Sequence, residues 1–252
     1  MELFVKKDSI VREIWGKSDT VLFIFGGASA EFALNKAVDW LYFTGKLPSD
    51  PLGRLFSTVK YAKQIIYSSA ADANKSIDIL RQIHSSVEQN RGMVIPDWAY
   101  RDVLFMLIHY SIASYELLER KLSDDEKEEV YNVFYRVGTR MGIKELPINY
   151  NQWLPCREAH LKENLKASKH TFDLFTQYKN NLGLLRYKVL IEAQKLVVPK
   201  HVKKLLYLNN FSLLTIAIPI YKFSKRIKTD GFLKNMLLPN EYKNEINELD
   251  VV

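Results

Sequence analysis

The sequence predicts an all-α fold, a single multi-helix domain with a buried histidine-centred pocket. Apolar residues recur at intervals of three and four over long stretches, with little of the alternation typical of strands. Only 10 glycines and 8 prolines occur among 252 residues, of which 47% are hydrophobic. Because one core commonly stops growing at roughly 250–300 residues, we expect one domain at residues 1–238. The remaining residues, 239–252, are predicted to be a polar tail that could be disordered.

The first third of the chain is predicted to contain three helices. The apolar spacing favours helices at residues 9–16 and 28–44, separated by an apolar segment that ends at Gly26-Gly27. Two glycines before a helix could bind an anion through free backbone amides, or could allow two helices to approach closely. Because proline restricts the residue before it, a proline-rich loop is expected to end this region before a third helix at 51–67.

Longer helices are predicted in the rest of the chain. Two span about residues 71–89 and 96–121, and the second opens on a proline, which is common at the first helical position. Ser123 and Glu126 have the spacing of a capping box, in which each side chain accepts from the other residue's backbone. That box predicts a helix to about residue 141. The remaining predicted helices cover 150–180, 183–197, 199–209 and 211–227.

The single cysteine limits the chemistry available to the chain. Cys156 alone cannot form an internal disulfide or a cysteine-rich zinc or iron–sulfur site. It fits a reducing compartment, so a cytoplasmic location is predicted. The N-terminus lacks the pattern of a secretory signal. The longest apolar stretches, 21–30 and 211–221, are well short of the roughly 20 residues that cross a bilayer.

The net charge of +7 comes mostly from scattered lysines, so we expect no nucleic-acid partner. Basic residues do cluster on both sides of the apolar stretch 211–221. Such a stretch could make peripheral contact with a membrane surface, or could be a core helix with one solvated face. The flanking basic residues are Lys200, Lys203, Lys204, Lys222, Lys225, Arg226 and Lys228.

His84 belongs to an apolar stripe. Ile77, Leu80, His84 and Val87 are spaced by four residues or fewer and lie on one helix face. This pattern predicts that the imidazole points inward. Because a buried imidazole is costly to charge and needs partners for its nitrogens, His84 either forms hydrogen bonds in the core or ligates a metal.

Arg54 and Thr58 are four residues apart, so their side chains share one face of the predicted helix. Two neighbouring donors could hold an oxygen species. The alternative is an exposed arginine beside a threonine that bonds to its own helix backbone.

The other histidines lie in different settings. His109, in the most apolar predicted helix, could be a second ligand or a core residue with satisfied nitrogens. His160, His170 and His201 lie in charged segments and are predicted at the surface. No Glu-x-x-His, His-Glu-x-x-His, Walker or Gly-x-Ser-x-Gly motif is present, which argues against several other metal, nucleotide and hydrolase chemistries.

Five stretches, in order and spacing, resemble the MpaB-like oxygenase family, which includes the fungal ER-bound oxygenase MpaB and, more distantly, bacterial latex-clearing proteins. The resemblance spans about residues 12–210. The stretches are Gly26 onward, Asp50-Pro51-Leu52-Gly53-Arg54-Leu55 with Thr58, Ile83-His84-Ser85-Ser86-Val87, the block Ile95 to Glu129, and Leu196-Val197-Val198-Pro199.

The resemblance implies a helical fold with some likeness to globins, a haem b cofactor, and oxidative cleavage of an isoprenoid C=C bond into two carbonyl products. By position, His84 would be the proximal iron ligand and thus the metal-binding residue. Arg54 and Thr58 would be catalytic, contacting the cofactor's distal side and orienting dioxygen.

The chain departs from its relatives at three places. Ser57 stands where latex-clearing proteins have a distal lysine, so a lysine-closed resting state is not expected. A histidine found in the long apolar helix of many relatives aligns on Leu104, which leaves the role of His109 open. The family's proposed carboxylate base has no clear counterpart, and Asp39 is the nearest candidate.

The sequence therefore predicts a haem b-dependent oxygenase that acts with dioxygen on a hydrophobic, unsaturated small molecule, with a prenylated compound as one option. Two alternatives stay open. One is a haem-binding protein without oxygenase activity. The other is a cofactor-free helical scaffold or membrane-surface protein in which His84 belongs to the core.

Overall fold

The computed structural model describes residues 2–45 and 49–226, and these residues form an all-α domain without a β-strand. The predicted fold class is therefore confirmed, while the predicted tail at 239–252 lies outside the described residues. The described helices are α1 Ile10–Trp15, α2 Ser18–Leu34, α3 Asp39–Thr44, α4 Pro51–Tyr67, α5 Ala70–Arg91, α6 Asp97–Leu118, α7 Asp124–Met141, α8 Tyr150–Asn164, α9 Lys169–Val197, α10 Lys200–Leu205 and α11 Leu214–Arg226.

Helices α2 and α6 form the centre of the domain, and α2 also packs along α9. A Cβ atom at Gly27 would lie 2.4 Å from the ring of Tyr110, so the glycine allows α2 and α6 to approach closely. The prediction that Gly26-Gly27 ends a segment before the helix was wrong, because α2 begins at Ser18 and continues through both glycines. Close packing here outweighs the roughly 1 kcal/mol by which glycine disfavours a helix.

Local side chains explain where the helices begin and end. The predicted helix 28–44 is interrupted after Leu34, where the Asn35 side chain accepts a hydrogen bond from the Ala37 backbone at 2.8 Å. The predicted helix 150–180 is interrupted before Ser168, which forms a capping box with Thr171 at the start of α9. The predicted break near residue 182 is a kink inside α9, at Gly183 with φ of 73°.

Two predicted helices are confirmed. The predicted helix 51–67 has the bounds of α4. The capping box of Ser123 and Glu126 is present at the start of α7, which ends at Met141 as expected. Both signals are local, so tertiary packing had little scope to override them.

Candidate functional site

His84 lies in the second half of α5, a helix with a clear start and stop. The Ser69 side chain accepts from the Asp72 backbone at the N-terminus, and Gly92 ends the helix in the left-handed conformation with φ of 69°. Ile77 on the same stripe is fully buried, whereas His84 is half-buried. The stripe therefore leads from the core to a face that solvent can reach.

The hydrogen bonding of His84 fixes which ring nitrogen is available. His84 Nδ1 lies 2.9 Å from the backbone oxygen of Leu80. Since a carbonyl oxygen only accepts, Nδ1 carries the hydrogen, and a neutral ring then keeps its lone pair on Nε2. The ring also packs edge-on against Tyr100, with centroids 5.3 Å apart. This arrangement is typical of a metal-ligating histidine, whose other nitrogen donates to a backbone carbonyl.

Electrostatics favour the neutral form of His84. Burial lowers the pKa of His84, and the positive charge of Arg54 lowers it further, while the Leu80 carbonyl and Glu88 act in the opposite direction. The net direction is down from an ordinary value near 6.5. At neutral pH the imidazole is thus uncharged and its Nε2 lone pair can bind a metal.

Arg54 and Thr58 lie on α4, which packs against α5. The Asp50 side chain caps this helix by accepting from the Gly53 backbone at 2.8 Å. Arg54 is exposed as a residue, yet the protein atoms around its guanidinium lower its pKa. Its charge acts on His84, so the structure places these two predicted residues near each other.

The Thr58 hydroxyl is bonded within its own helix. Thr58 Oγ1 donates to the Arg54 backbone oxygen at 3.0 Å, and Ser57 Oγ donates to the same oxygen at 2.8 Å. This is the backbone-bonded arrangement that the sequence left open as an alternative. A distal role for Thr58 stays a prediction and would require the side chain to leave this rotamer.

A cavity of about 280 Å³ lies beside His84. Its lining includes Arg81, Glu88, Asp97 and Tyr100, so its walls are partly polar. The volume is below the roughly 300–1,000 Å³ of typical ligand sites. A porphyrin would therefore need this space to widen. The His84 ring itself fits an iron ligand, because its Nε2 lone pair is available. Within the described residues, no three His, Cys, Asp or Glu side chains are grouped to hold a metal ion.

Asp39, the nearest candidate for a carboxylate base, is engaged in an ion pair. Its Oδ2 accepts from Arg91 Nη2 at 2.7 Å, and the Arg91 guanidinium lies 4.0 Å from the ring centre of Trp40. A base must hold its carboxylate free to take a proton, and this one is paired with a fixed cation. Asp39, the first residue of α3, is therefore paired with Arg91 in this structure and is not free to act as a base.

A buried ion pair that the sequence interpretation missed links α2 and α8. Arg157 donates to both carboxylate oxygens of Glu31 at 2.5 Å, and the Tyr110 hydroxyl donates to Glu31 at 2.9 Å. Glu31 is 1% exposed and Arg157 4% exposed. A usable signal existed, because Arg157 is four residues from both Trp153 and Leu161 and therefore belongs to an apolar stripe.

His109 lies against this pair, away from the cavity at His84. Burial lowers its pKa to about 3, helped by the charge of Arg157 and opposed by a hydrogen bond with the Val197 backbone. Its Nε2 is enclosed and has no hydrogen-bond partner among the residues that the structure describes. His109 is therefore a half-buried residue whose neutral ring keeps its Nε2 enclosed.

The prediction that His160 lies at the surface was wrong. Its Nδ1 bonds to the carboxylate of Asp102, which also accepts from Asn35 Nδ2 at 2.8 Å. The His160 side chain is 15% exposed and Asp102 is 2% exposed. Neighbouring charged residues suggested exposure, but His160 lies on the side of α8 that contacts Asp102 of α6. His170 and His201 are both half-buried.

A second cavity, of about 650 Å³, opens between α9 and the segment around α10. Its walls are mostly apolar and include Phe175, Tyr187, Leu206, Tyr207 and Leu213. None of the predicted site residues lines it. The two cavities therefore lie against different sets of helices.

A family model described as ER-bound oxygenase mpaB/B'/rubber oxygenase, catalytic domain, matches residues 15–216. The match covers most of the chain and includes all three predicted site residues. Comparison with curated proteins and with solved structures gives no match.

Proposed function

The chain belongs to the family of the mpaB and rubber oxygenase catalytic domains, and from that premise we propose that it is a haem b-dependent oxygenase. The proposed substrate is a hydrophobic unsaturated molecule, with a prenyl chain as the favoured type. In the proposed reaction the C=C bond breaks and each carbon receives one atom of O2, which yields two carbonyl products without an outside reductant. We also propose that its helical fold has the likeness to globins that the family resemblance implies.

The observation that carries this proposal is the hydrogen bond from His84 Nδ1 to the Leu80 carbonyl at 2.9 Å. It orients the ring and leaves Nε2 as the nitrogen that would hold the haem iron. The lowered pKa of His84 supports the same role, because a protonated ring has no lone pair to offer. Haem, when bound, supplies the iron that activates dioxygen.

Arg54 is proposed to stabilise negative charge that develops on dioxygen. Its guanidinium already acts on the His84 ring through its charge, and it keeps that charge at neutral pH despite a lowered pKa. Aimed donors of this type stabilise a developing anion more than a neutral ground state. Arg54 is thus the residue on which the proposed chemistry depends most after His84.

Thr58 is proposed to assist Arg54 with a smaller contribution. Threonine in a helix divides between two rotamers, one of which bonds to the carbonyl four residues earlier. Thr58 occupies that rotamer, so contact with an oxygen species would cost it this bond. The hydroxyl of Thr58 is for this reason expected to matter less than the Arg54 guanidinium.

A haem-binding protein without oxygenase activity is the second candidate. The backbone-bonded hydroxyl of Thr58 favours it, because it removes one of the two predicted donors. Both candidates require haem at His84. They differ in whether the loaded protein consumes dioxygen with an unsaturated substrate.

Dioxygen uptake by the haem-loaded protein separates the two candidates. The test compares an unsaturated polyisoprenoid with its saturated counterpart, and follows 18O from labelled dioxygen into carbonyl products by mass spectrometry. The oxygenase proposal predicts uptake with the unsaturated compound alone and one 18O atom in each new carbonyl. Stoichiometric haem with no uptake on any unsaturated compound would instead support the second candidate.

Variants on α4 test the assigned residues. Arg54→Ala is expected to lower kcat about 100-fold at unchanged haem content, and Thr58→Val is expected to lower it less. Ser57→Ala is the matched control, since Ser57 donates to the same backbone oxygen as Thr58. Equal kcat for Arg54→Ala and Ser57→Ala would remove Arg54 from the proposed mechanism.

A further inference from the structure

The face of helix α11 that contacts the protein carries two polar groups with partners on other elements. Tyr221 Oη donates to Asp19 Oδ2 at 2.9 Å, and Lys225 Nζ donates to the same oxygen at 2.8 Å. Lys225 also forms an ion pair with Glu119. Tyr221 and Lys225 are four residues apart and share one helix face. That face attaches α11 to α2 and to the end of α6.

The opposite face of α11 is apolar and exposed. Ile216, Ile220 and Phe223 are 64%, 64% and 62% exposed. At 100° per residue, these three lie on the side of the helix away from Tyr221 and Lys225. Of the two alternatives that the sequence left open for residues 211–221, a core helix does not fit these exposed side chains.

The exposed apolar surface continues onto the segment before α11. Tyr207 is 90% exposed and Leu213 is 65% exposed, and both line the 650 Å³ cavity. Phe211 between them is 59% exposed. Large contiguous apolar surfaces are uncommon on proteins without a partner. This surface therefore indicates a binding face that includes the rim of the cavity.

The surroundings of this surface are positively charged. Lys200, Lys203 and Lys204 lie on α10, just before Tyr207, and form no ion pair with the residues that the structure describes. Unpaired lysines beside an exposed apolar helix face match an anionic lipid headgroup layer over its acyl chains. No described helix is both long and apolar enough to span a bilayer, which leaves contact from one side.

We propose that the apolar face of α11, with Tyr207 and Leu213, binds the surface of a bilayer that contains anionic phospholipids. Ile216, Ile220 and Phe223 enter the acyl boundary, and the lysines of α10 contact the headgroups. In this orientation the mouth of the 650 Å³ cavity opens toward the lipid. It does not depend on haem or on His84, so its failure would leave the proposed oxygenase untouched.

Vesicle flotation of the full chain tests the proposal. Vesicles of phosphatidylcholine with phosphatidylserine are compared with phosphatidylcholine alone. Wild type should float with the anionic vesicles and much less with the neutral ones, and added salt should weaken its binding. The triple variant Ile216→Ser, Ile220→Ser, Phe223→Ser should raise the Kd for anionic vesicles at least 10-fold. Its folding is checked by circular dichroism and should be unchanged, because these side chains are already exposed.

Two further variants separate the parts of the proposal. Lys203→Gln with Lys204→Gln should weaken binding to anionic vesicles and reduce its salt dependence. Lys225 is left intact because it holds α11 in place. The matched control is Leu184→Ser with Leu185→Ser, which removes two apolar side chains that are 58% and 68% exposed on α9. This control should bind like wild type.

Several outcomes would overturn the proposal. These are no flotation of wild type with anionic vesicles, equal binding of the triple variant and wild type, or a wild-type dimer on size exclusion that the triple variant abolishes. A second readout does not depend on the triple variant. Phe223→Trp should add fluorescence that brominated phospholipids quench, and absence of that quenching in bound protein would also contradict the proposal.

Discussion

Two histidines, His109 on α6 and His84 on α5, are both held neutral by burial, yet their surroundings differ. The Nε2 of His109 is enclosed beside the ion pair of Glu31 and Arg157. Both residues are half-buried, but His84 lines a cavity, whereas His109 lines neither of the two cavities described above. A lowered histidine pKa therefore does not identify a binding site. Access to the lone pair is what distinguishes the candidate ligand from His109.

The charged groups near the two histidines also differ, in how deeply they are buried and how closely they are paired. Both oxygens of Glu31 accept hydrogen bonds inside the core, so the cost of its burial is offset by close partners. Arg54 near His84 is exposed and has no described partner as close as that. The comparison predicts that changes in the core act on stability, whereas changes on α4 and α5 act on binding and activity.

The largest expected effect is on stability, at Arg157. Arg157→Met removes the partner of a buried carboxylate and should lower the free energy of unfolding by about 3–5 kcal/mol, measured by urea denaturation. Arg140→Met is the control, because Arg140 forms an exposed ion pair with Asp78 and should change stability little. If both variants unfolded at the wild-type urea concentration, the core ion pair would not be structural.

The next largest effect is the loss of folding stability at acidic pH. The unfolded chain protonates His109 near pH 6.5, while the folded protein resists protonation down to about pH 3. Folding stability is therefore complete above pH 6.5 and falls by about 1.4 kcal/mol per pH unit below it, until the folded pKa is reached. His84, whose pKa is also lowered, contributes in the same direction.

Urea denaturation between pH 7 and pH 4.5 measures this loss. His109→Gln should reduce the slope of stability against pH relative to wild type. An unchanged slope in His109→Gln would mean that the core admits a charged imidazole.

The smallest of these stability effects compares two adjacent glycines of α2. Gly27→Ala should cost about 1–3 kcal/mol, because the new Cβ atom would lie 2.4 Å from the Tyr110 ring. Gly26→Ala places its Cβ at an ordinary 3.6 Å from Leu190 and should be neutral or stabilising by up to about 1 kcal/mol. Thermal unfolding of both variants gives the comparison, and equal Tm values would contradict the close approach of α2 and α6.

The sequence predicted the fold class and the helices whose signals are local. The bounds of α4 and the capping box of α7 depend on neighbouring residues and were predicted correctly. The start of α2 was not, because whether Gly27 breaks a helix depends on Tyr110, more than eighty residues away. The choice between a core helix and a surface helix at α11 was left open for the same reason, since its polar partners Asp19 and Glu119 are distant in sequence.

For the site, the family resemblance joined Arg54 with His84, and in the structure the charge of Arg54 lowers the pKa of His84. The sequence could not predict that the Thr58 hydroxyl bonds to its own helix, because one threonine has two rotamers of similar energy. It also missed the Glu31–Arg157 pair, whose members are 126 residues apart. Periodicity alone does not match a buried acid to a distant buried base.

The most direct test of the central claim, that His84 Nε2 is an iron ligand, is a haem titration followed by absorbance and quantified as pyridine haemochrome. Wild type and His201→Ala should each bind one haem per chain with the same Soret band. His84→Ala should lose or shift that band, and added imidazole should restore it. A wild type that stays colourless after reconstitution, or a His84→Ala spectrum identical to wild type, would contradict the claim and return His84 to the core.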